Sequence, residues 1–239
     1  MSTPFPPSIP LRMPPEIQPI FDDCVLCLFP VYNHKKWIDF TGHRNHGTIQ
    51  GATWKTGGLG KVLNFGGGHL VNCPDAESLR ISFALSLEAW VRPSSGSLDG
   101  DYHPIAGKWN DNGVDKRAYM FSIDDDLFRA SVSSDGAWHS DSVYSSTSPS
   151  AGLWYHVMAT FDGVYLRLFV NGDLEGGPFD AYGSGIAVND EPFTIGGVQA
   201  GGGGWHYFYG DISELRVFRR ALSPEEVRRL YEWSLPRYR

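Results

Sequence analysis

Between residues 153 and 172, apolar and polar side chains alternate in two runs that meet at Asp162-Gly163 and end at Asn171-Gly172. Leu153, Tyr155, Val157, Ala159 and Phe161 share one face of the first run; Val164, Leu166, Leu168 and Val170 share one face of the second. A period of two belongs to a strand with one buried face. Both dipeptides suit the positive φ of a type I′ turn, so the pattern predicts a meander of antiparallel strands. Leu85, Leu87 and Ala89 repeat the alternation upstream and join the predicted core. Asp124-Asp-Asp126 lies between two further strand-like runs and marks an exposed hairpin turn. Near the end, Ser223-Pro-Glu-Glu226 is a capping box with proline at the first helical position, followed by an apolar stripe of Val227, Leu230 and Tyr231. This predicts a helix over about 223–233, expected as a lid over a sheet edge.

Composition narrows the picture to one large sandwich. The 239 residues include 28 Gly, 14% aromatic and only 20% charged residues, and no polar linker interrupts the strand-and-turn pattern after residue 24. The net charge of −7 and the lack of a basic run exclude phosphate-driven nucleic-acid binding. No apolar stretch approaches the ~20 residues that span a bilayer. Seven prolines among the first 19 residues predict an extended arm over 1–23, followed by a domain over 24–239. The arm is expected to be either disordered or docked on a neighbouring subunit. It has no apolar core of a signal peptide, which predicts a virion-associated protein, or one that is cytoplasmic until released. Of the three cysteines, Cys24 and Cys27 are three apart on a strand and expected on opposite faces; with Cys73 they are expected as buried free thiols, a Cys73 disulfide being the alternative.

Several motifs then fall in a recognisable order. Asn45-His46-Gly47, Gly51-Ala-Thr53, Gly60-Lys-Val-Leu-Asn-Phe-Gly66 and Ser86-Leu-Glu-Ala-Trp-Val-Arg-Pro93 precede the central hairpin, which runs from Trp154-Tyr-His-Val to Asn171-Gly172. Gly210-Asp-Ile-Ser-Glu-Leu-Arg-Val-Phe and the helix follow it. Together, over roughly residues 24 to 233, they resemble the laminin-G-like jelly rolls of the concanavalin A-like lectin/glucanase superfamily. The resemblance implies an all-β, antiparallel two-sheet jelly roll. It also implies one structural calcium at the sandwich rim, with Asp39 and Asp211 at the matching positions; turn capping is the alternative role for both. Here the small polar residues of the family's loop are replaced by Asp39-Phe-Thr-Gly-His-Arg44.

The superfamily hosts glycan binders, adhesion modules, enzymes and structural domains, so function has to come from the residues. Its glycoside hydrolases carry a Glu-x-Asp-x-x-Glu strand that flanks the scissile bond, and this sequence has none. Glu88 stands alone among its same-face neighbours and Glu214 has Arg216 two residues on, which predicts structural ion pairing. The scattered histidines form no metal-ligand pair, and Arg228, Arg229, Arg237 and Arg239 are expected on a solvated face. Trp109, Trp138, Tyr182, Trp205, Tyr207 and Tyr209 place flat rings among amides, carboxylates and a four-glycine run, the mixture that sugar binding uses. Packing on the sandwich surface or in a subunit contact is the competing role for these rings. The expected function is therefore non-enzymatic binding and display: a decoration component of a virion-like assembly that recognises a glycan or cell-surface polysaccharide, with the arm contacting neighbouring subunits. A free carbohydrate-binding or adhesion module is the alternative, and a glycoside hydrolase the third reading.

Overall fold

The computed structural model describes residues 13–31, 33, 35–57, 60–113, 116–137, 141–181 and 185–239. Two eight-stranded antiparallel sheets face each other. In spatial order the first contains Asp173–Asp180, Tyr165–Val170, Tyr155–Phe161, Leu85–Pro93, Gly210–Phe218, Gly60–Phe65 and Thr53–Gly57. A bulge between Ile212 and Leu215 splits the partners of the Gly210–Phe218 strand, so its second half pairs with Cys24–Leu28 while its first pairs with Gly60–Phe65. The second sheet runs Asp141–Tyr144, Leu127–Val132, Arg117–Asp124, His103–Trp109, Phe193–Ile195, Leu70–Cys73, Gly47–Gln50 and Lys36–Trp37.

The alternation read from the sequence sets the core. Leu85, Leu87, Ala89, Val157, Ala159, Phe161, Leu166, Leu168 and Val170 all lie in the cluster between the sheets. Leu153 and Val164 do not: both precede their strands and are exposed. The two turns also differ. Asn171 and Gly172 have φ of 51° and 81° and form the expected two-residue turn between Val170 and Asp173. At the other turn only Gly163 has positive φ, and the strands pair from Phe161 to Leu166, which makes a four-residue loop. Asp162 sets that geometry by accepting the Val164 and Tyr165 N–H groups on its own carboxylate. Asp125 and Asp126, with φ of 51° and 57°, make the acidic hairpin turn.

A second apolar cluster covers the outer face of the first sheet, and it corrects several expectations. Residues 13–23 are not an extended arm throughout: Gln18–Phe21 is a 3-10 turn, and Ile17, Ile20 and Phe21 are buried against Phe218 and the C-terminal helix. Their apolar side chains outweigh the flanking prolines; residues 1–12 lie outside the described residues. The helix, Pro224–Ser234, lies over the sheet's face rather than an edge, packing Val227 and Leu230 with Met158 and Phe169. The capping box forms as read: Ser223 Oγ accepts the Glu226 N–H at 3.3 Å and Glu226 accepts the Ser223 N–H at 2.8 Å. Cys24 and Cys27 share this cluster because a bulge between Cys24 and Leu26 breaks the strict alternation. All three thiols are buried and free, and burial pushes those of Cys24 and Cys73 up.

Under the helix lies a buried charge network. Arg216 stands across the strand pair from Glu88 and donates to it at 2.5 Å, and also donates to Glu214. His156 lies 3.0 Å from the same Glu88 oxygen. Arg237, expected on a solvated face, instead grips both Glu214 oxygens at 2.6 and 2.9 Å and lies over Trp233. Tyr238 donates to Glu214 at 3.0 Å and stacks on Trp90 at 4.0 Å. Glu88 is thus not alone. Burial by itself would raise its carboxyl, but Arg216 and His156 outweigh burial and bring it to about 2. A carboxyl whose folded value lies below its unfolded one gives stability that is present above the unfolded value, about 4.5, and is lost as pH falls toward 2. Denaturant melts across that window are expected to weaken steadily, and a Glu88→Gln variant to show a shallower slope; equal slopes would remove Glu88 from acid unfolding.

Candidate functional site

The outer face of the second sheet is polar and partly open. On Leu127–Val132, Phe128, Ala130 and Val132 enter the core, so Arg129 and Ser131 point outward. On Arg117–Asp124, Tyr119, Phe121 and Ile123 point in, which leaves Met120, Ser122 and Asp124 outside. A short hairpin, Gly197–Gln199 with Trp205–Tyr207, lies against this face by packing Val198 on Trp109 and Met120. Its turn closes through Ala200 N–H to Gly204 O at 2.8 Å and uses Gly202 and Gly203 at φ of 78° and 88°, values that favour glycine.

Two pockets flank the hairpin and share Tyr102 and His206 in their walls. The larger, about 540 Å³, is lined by Gly96, Asp99, Asp101, Tyr102, His103, Trp205, His206, Tyr207 and Tyr209. Trp205 and Tyr207, two apart on one strand and hence on one face, stack 6.1 Å apart and nearly parallel. Gly197, directly opposite Tyr207, leaves the space its ring needs: a Cβ there would come within 3.1 Å of that ring. Trp205 is 42% exposed, an open apolar plate. Tyr209 is wedged against Gly67 and Gly96, where a Cβ would approach its side chain to 2.8 and 3.1 Å. His103 fixes the floor, one ring nitrogen 2.8 Å from Tyr207 O and the other 2.8 Å from Asp99. The contact with His103 holds the Asp99 carboxyl below its usual range.

The smaller pocket, about 420 Å³, is lined by Tyr102, Trp109, Asp111, Arg117, Asp124, Arg129, Gly201 and His206. Asp111 Oδ1 accepts from Trp109 Nε1 at 2.9 Å and from Arg117 at 2.7 Å. Asp124 Oδ2 accepts from Arg129 and from Tyr144, both at 3.0 Å. The Arg129 guanidinium lies between the rings of Tyr102 and Tyr144, 6.0 and 5.6 Å away. Burial pushes the Tyr102 phenol up, so it stays a neutral donor.

Four of the six candidate aromatics therefore converge on these pockets. Trp109 contributes a wall rather than an open plate, being 5% exposed with Arg117 over its ring. Trp138 and Tyr182 lie outside the described residues. Sequence reasoning missed Tyr102, His103, His206, Asp99, Arg117 and Arg129. An outward-facing charged position on a strand whose other face is apolar is the signal for Arg129; Arg117 is in phase with the inward Tyr119 and Phe121, and only the irregular pairing beside it turns it out.

The two proposed metal ligands share no hydrogen-bond partner among the described residues. Asp39 Oδ1 accepts the Cys27 and Thr41 N–H groups, each at 2.9 Å, and Oδ2 accepts the Asn45 N–H at 2.8 Å and the Thr41 hydroxyl at 2.7 Å. Asp211 is gripped by Arg92 at 2.8 and 2.5 Å and by Asn64 at 2.7 Å. Both carboxylates are saturated by donors, one of them a guanidinium, and this does not fit a shared hard cation. Among the described residues no group of three or more His, Cys, Asp or Glu side chains forms a metal cluster. None of the described helices is long and apolar enough to cross a membrane.

Comparison with known proteins supports the same architecture. Domain 4 of AbnA, a GH43 extracellular arabinanase from Geobacillus stearothermophilus seen in complex with arabinotriose, superimposes with a TM-score of 0.67 at 20% identity, over 87% of this chain and 98% of that one. The binding domain of Paraclostridial Mosquitocidal Protein 1 gives 0.67 at 17% identity, over 88% of this chain and 52% of that one. A mutant of Trypanosoma rangeli sialidase displaying trans-sialidase activity gives 0.66 at 19% identity, over 90% and 33%. The chain thus spans about half the length of the toxin binding domain and a third of the sialidase. Among curated proteins none matches the chain significantly. A family profile matches residues 65–228, well over half of the chain. With the two-sheet sandwich in place, that match makes the chain a member of the concanavalin A-like lectin/glucanases superfamily.

Proposed function

We propose that the protein binds carbohydrate at the hairpin of Trp205–Tyr207 and does no chemistry on it. The observation that carries this reading is the exposed Trp205 ring, stacked nearly parallel to the half-buried Tyr207 and set beside Asp99, Asp101 and His206. Sugars offer apolar C–H faces to such plates and hydroxyls to such polar rims. The likeness to a similarly sized domain solved with arabinotriose supports it. Asp111 and Asp124 are each clamped by an arginine, an arrangement that orients hydroxyls rather than one that delivers a proton to a leaving group. Display on a virion-like assembly and action as a free adhesion module are two settings for this one site. The first rests on the proline-rich residues 1–12, so the site itself favours neither.

Trp205→Ala is expected to weaken saccharide binding by about 1–3 kcal/mol, the scale of one lost stacking contact. Calorimetry against neutral oligosaccharides checks this, with thermal melts confirming the fold. Unchanged affinity would remove the hairpin as the binding element. Release of reducing ends from any polysaccharide by the purified protein would overturn the non-catalytic reading.

A further inference from the structure

Resting on that reading, we infer that the two pockets are contiguous subsites for one neutral, linear oligosaccharide, and that Asp111 and Asp124 select for free vicinal hydroxyls in the second subsite. Three observations carry this. The pockets share Tyr102 and His206, whose rings meet edge to face at 5.1 Å, so a chain seated on Trp205 and Tyr207 continues past that pair into the smaller pocket.

The second observation is unused hydrogen-bonding capacity on fixed groups. Asp111 accepts from Trp109 and Arg117 on Oδ1, and Oδ2 has no partner among the described residues. Asp124 accepts from Arg129 and Tyr144 on Oδ2, and Oδ1 has none among them. Each carboxylate is thereby locked by its arginine with one acceptor oxygen left over. Adjacent sugar hydroxyls donate to such an acceptor and, at Asp124, accept from the partly exposed Arg129 guanidinium beside it, whereas Arg117 is buried and serves only to lock Asp111; the locked pairs lose little freedom on binding.

The third observation is charge. Arg117 and Arg129 are balanced by Asp111 and Asp124, and Asp99 and Asp101 next door leave an excess of two carboxylates along the site. A uronate or sialate carboxylate would meet like charge with no unbalanced arginine to receive it. The site therefore favours uncharged units.

The test is calorimetry on the intact chain with linear arabinose, xylose and glucose oligomers of increasing length, and with galacturonate oligomers of matched length. Affinity is expected to rise about tenfold or more between monomer and trimer in at least one neutral series, the scale of one further satisfied charged hydrogen bond. Asp124→Asn and Asp111→Asn, each checked by thermal melt, are expected to flatten that rise about tenfold. Trp205→Ala is expected to lower affinity at every length. Binding that depends on Trp205 but not on length or on either aspartate would overturn the second subsite and leave the proposed function standing. Tighter binding of galacturonate oligomers would overturn the neutral preference. No saccharide binding at all would overturn both the function and this inference.

Discussion

Replacing Arg216 with methionine is expected to destabilise the fold by about 3–5 kcal/mol, the cost of breaking a buried ion pair from one side. Arg216 is fully buried, and its guanidinium lies 4.9 to 5.5 Å from the rings of Phe21, Phe29 and Trp233. Its charge is set between Glu88 and Glu214, both buried to within 1%. Methionine would fill much of the space yet leave Glu88 with only His156. Glu214 would retain Arg237 and Tyr238, so the damage should concentrate at Glu88. Adding Glu88→Gln to Arg216→Met should therefore recover part of the loss. Urea melts at neutral pH check this; a loss under about 1 kcal/mol, or no recovery in the double variant, would mean that the network is solvated.

Leu168→Ala is expected to cost about 2–5 kcal/mol, the range for truncating a buried leucine. Leu168 is fully buried between the sheets, with Ala159 and Gly176 as its strand partners. Those small neighbours on its own sheet cannot grow into the vacated volume, which places the cost toward the upper end. A loss below about 0.5 kcal/mol would show that the strand has shifted register.

The period-two pattern made the inter-sheet core legible residue by residue, because a strand that buries one face has little choice about which side chains go in. It could not reveal the second core. On Leu85–Pro93 and Gly210–Phe218 the outward residues Glu88, Trp90, Glu214 and Arg216 look solvent-facing by alternation, yet the helix and residues 17–21 bury them. Nothing local to those strands encodes what will be laid over them. Bulges were equally silent, which is why Cys24 and Cys27 turned out to share a face.

The site was half legible for a similar reason. Aromatics near glycines, such as Trp205, Tyr207 and Tyr209, stand out in a sequence. His103, Arg117 and Arg129 come from three strands and Tyr102 immediately precedes the first, and only pairing of those strands brings them under one hairpin. Asp39 and Asp211 were placed by likeness to relatives; their donors, Thr41, Asn45, Arg92 and Asn64, become visible only in three dimensions.

The segment beginning at Met13 and the helix leading to Arg239 both lie on the outer face of the first sheet, whereas the smaller pocket opens on the outer face of the second. Whatever is joined to either end of the domain is therefore held at its back. A tether, a fusion partner or a solid support attached there leaves the pocket-bearing side pointing outward, with the full thickness of the sandwich as a spacer. Two attachments on one face also resist swivelling better than one, so many copies fixed this way would present their pockets in a common direction. Weak single-site contacts of the proposed kind would then add up along a repetitive ligand.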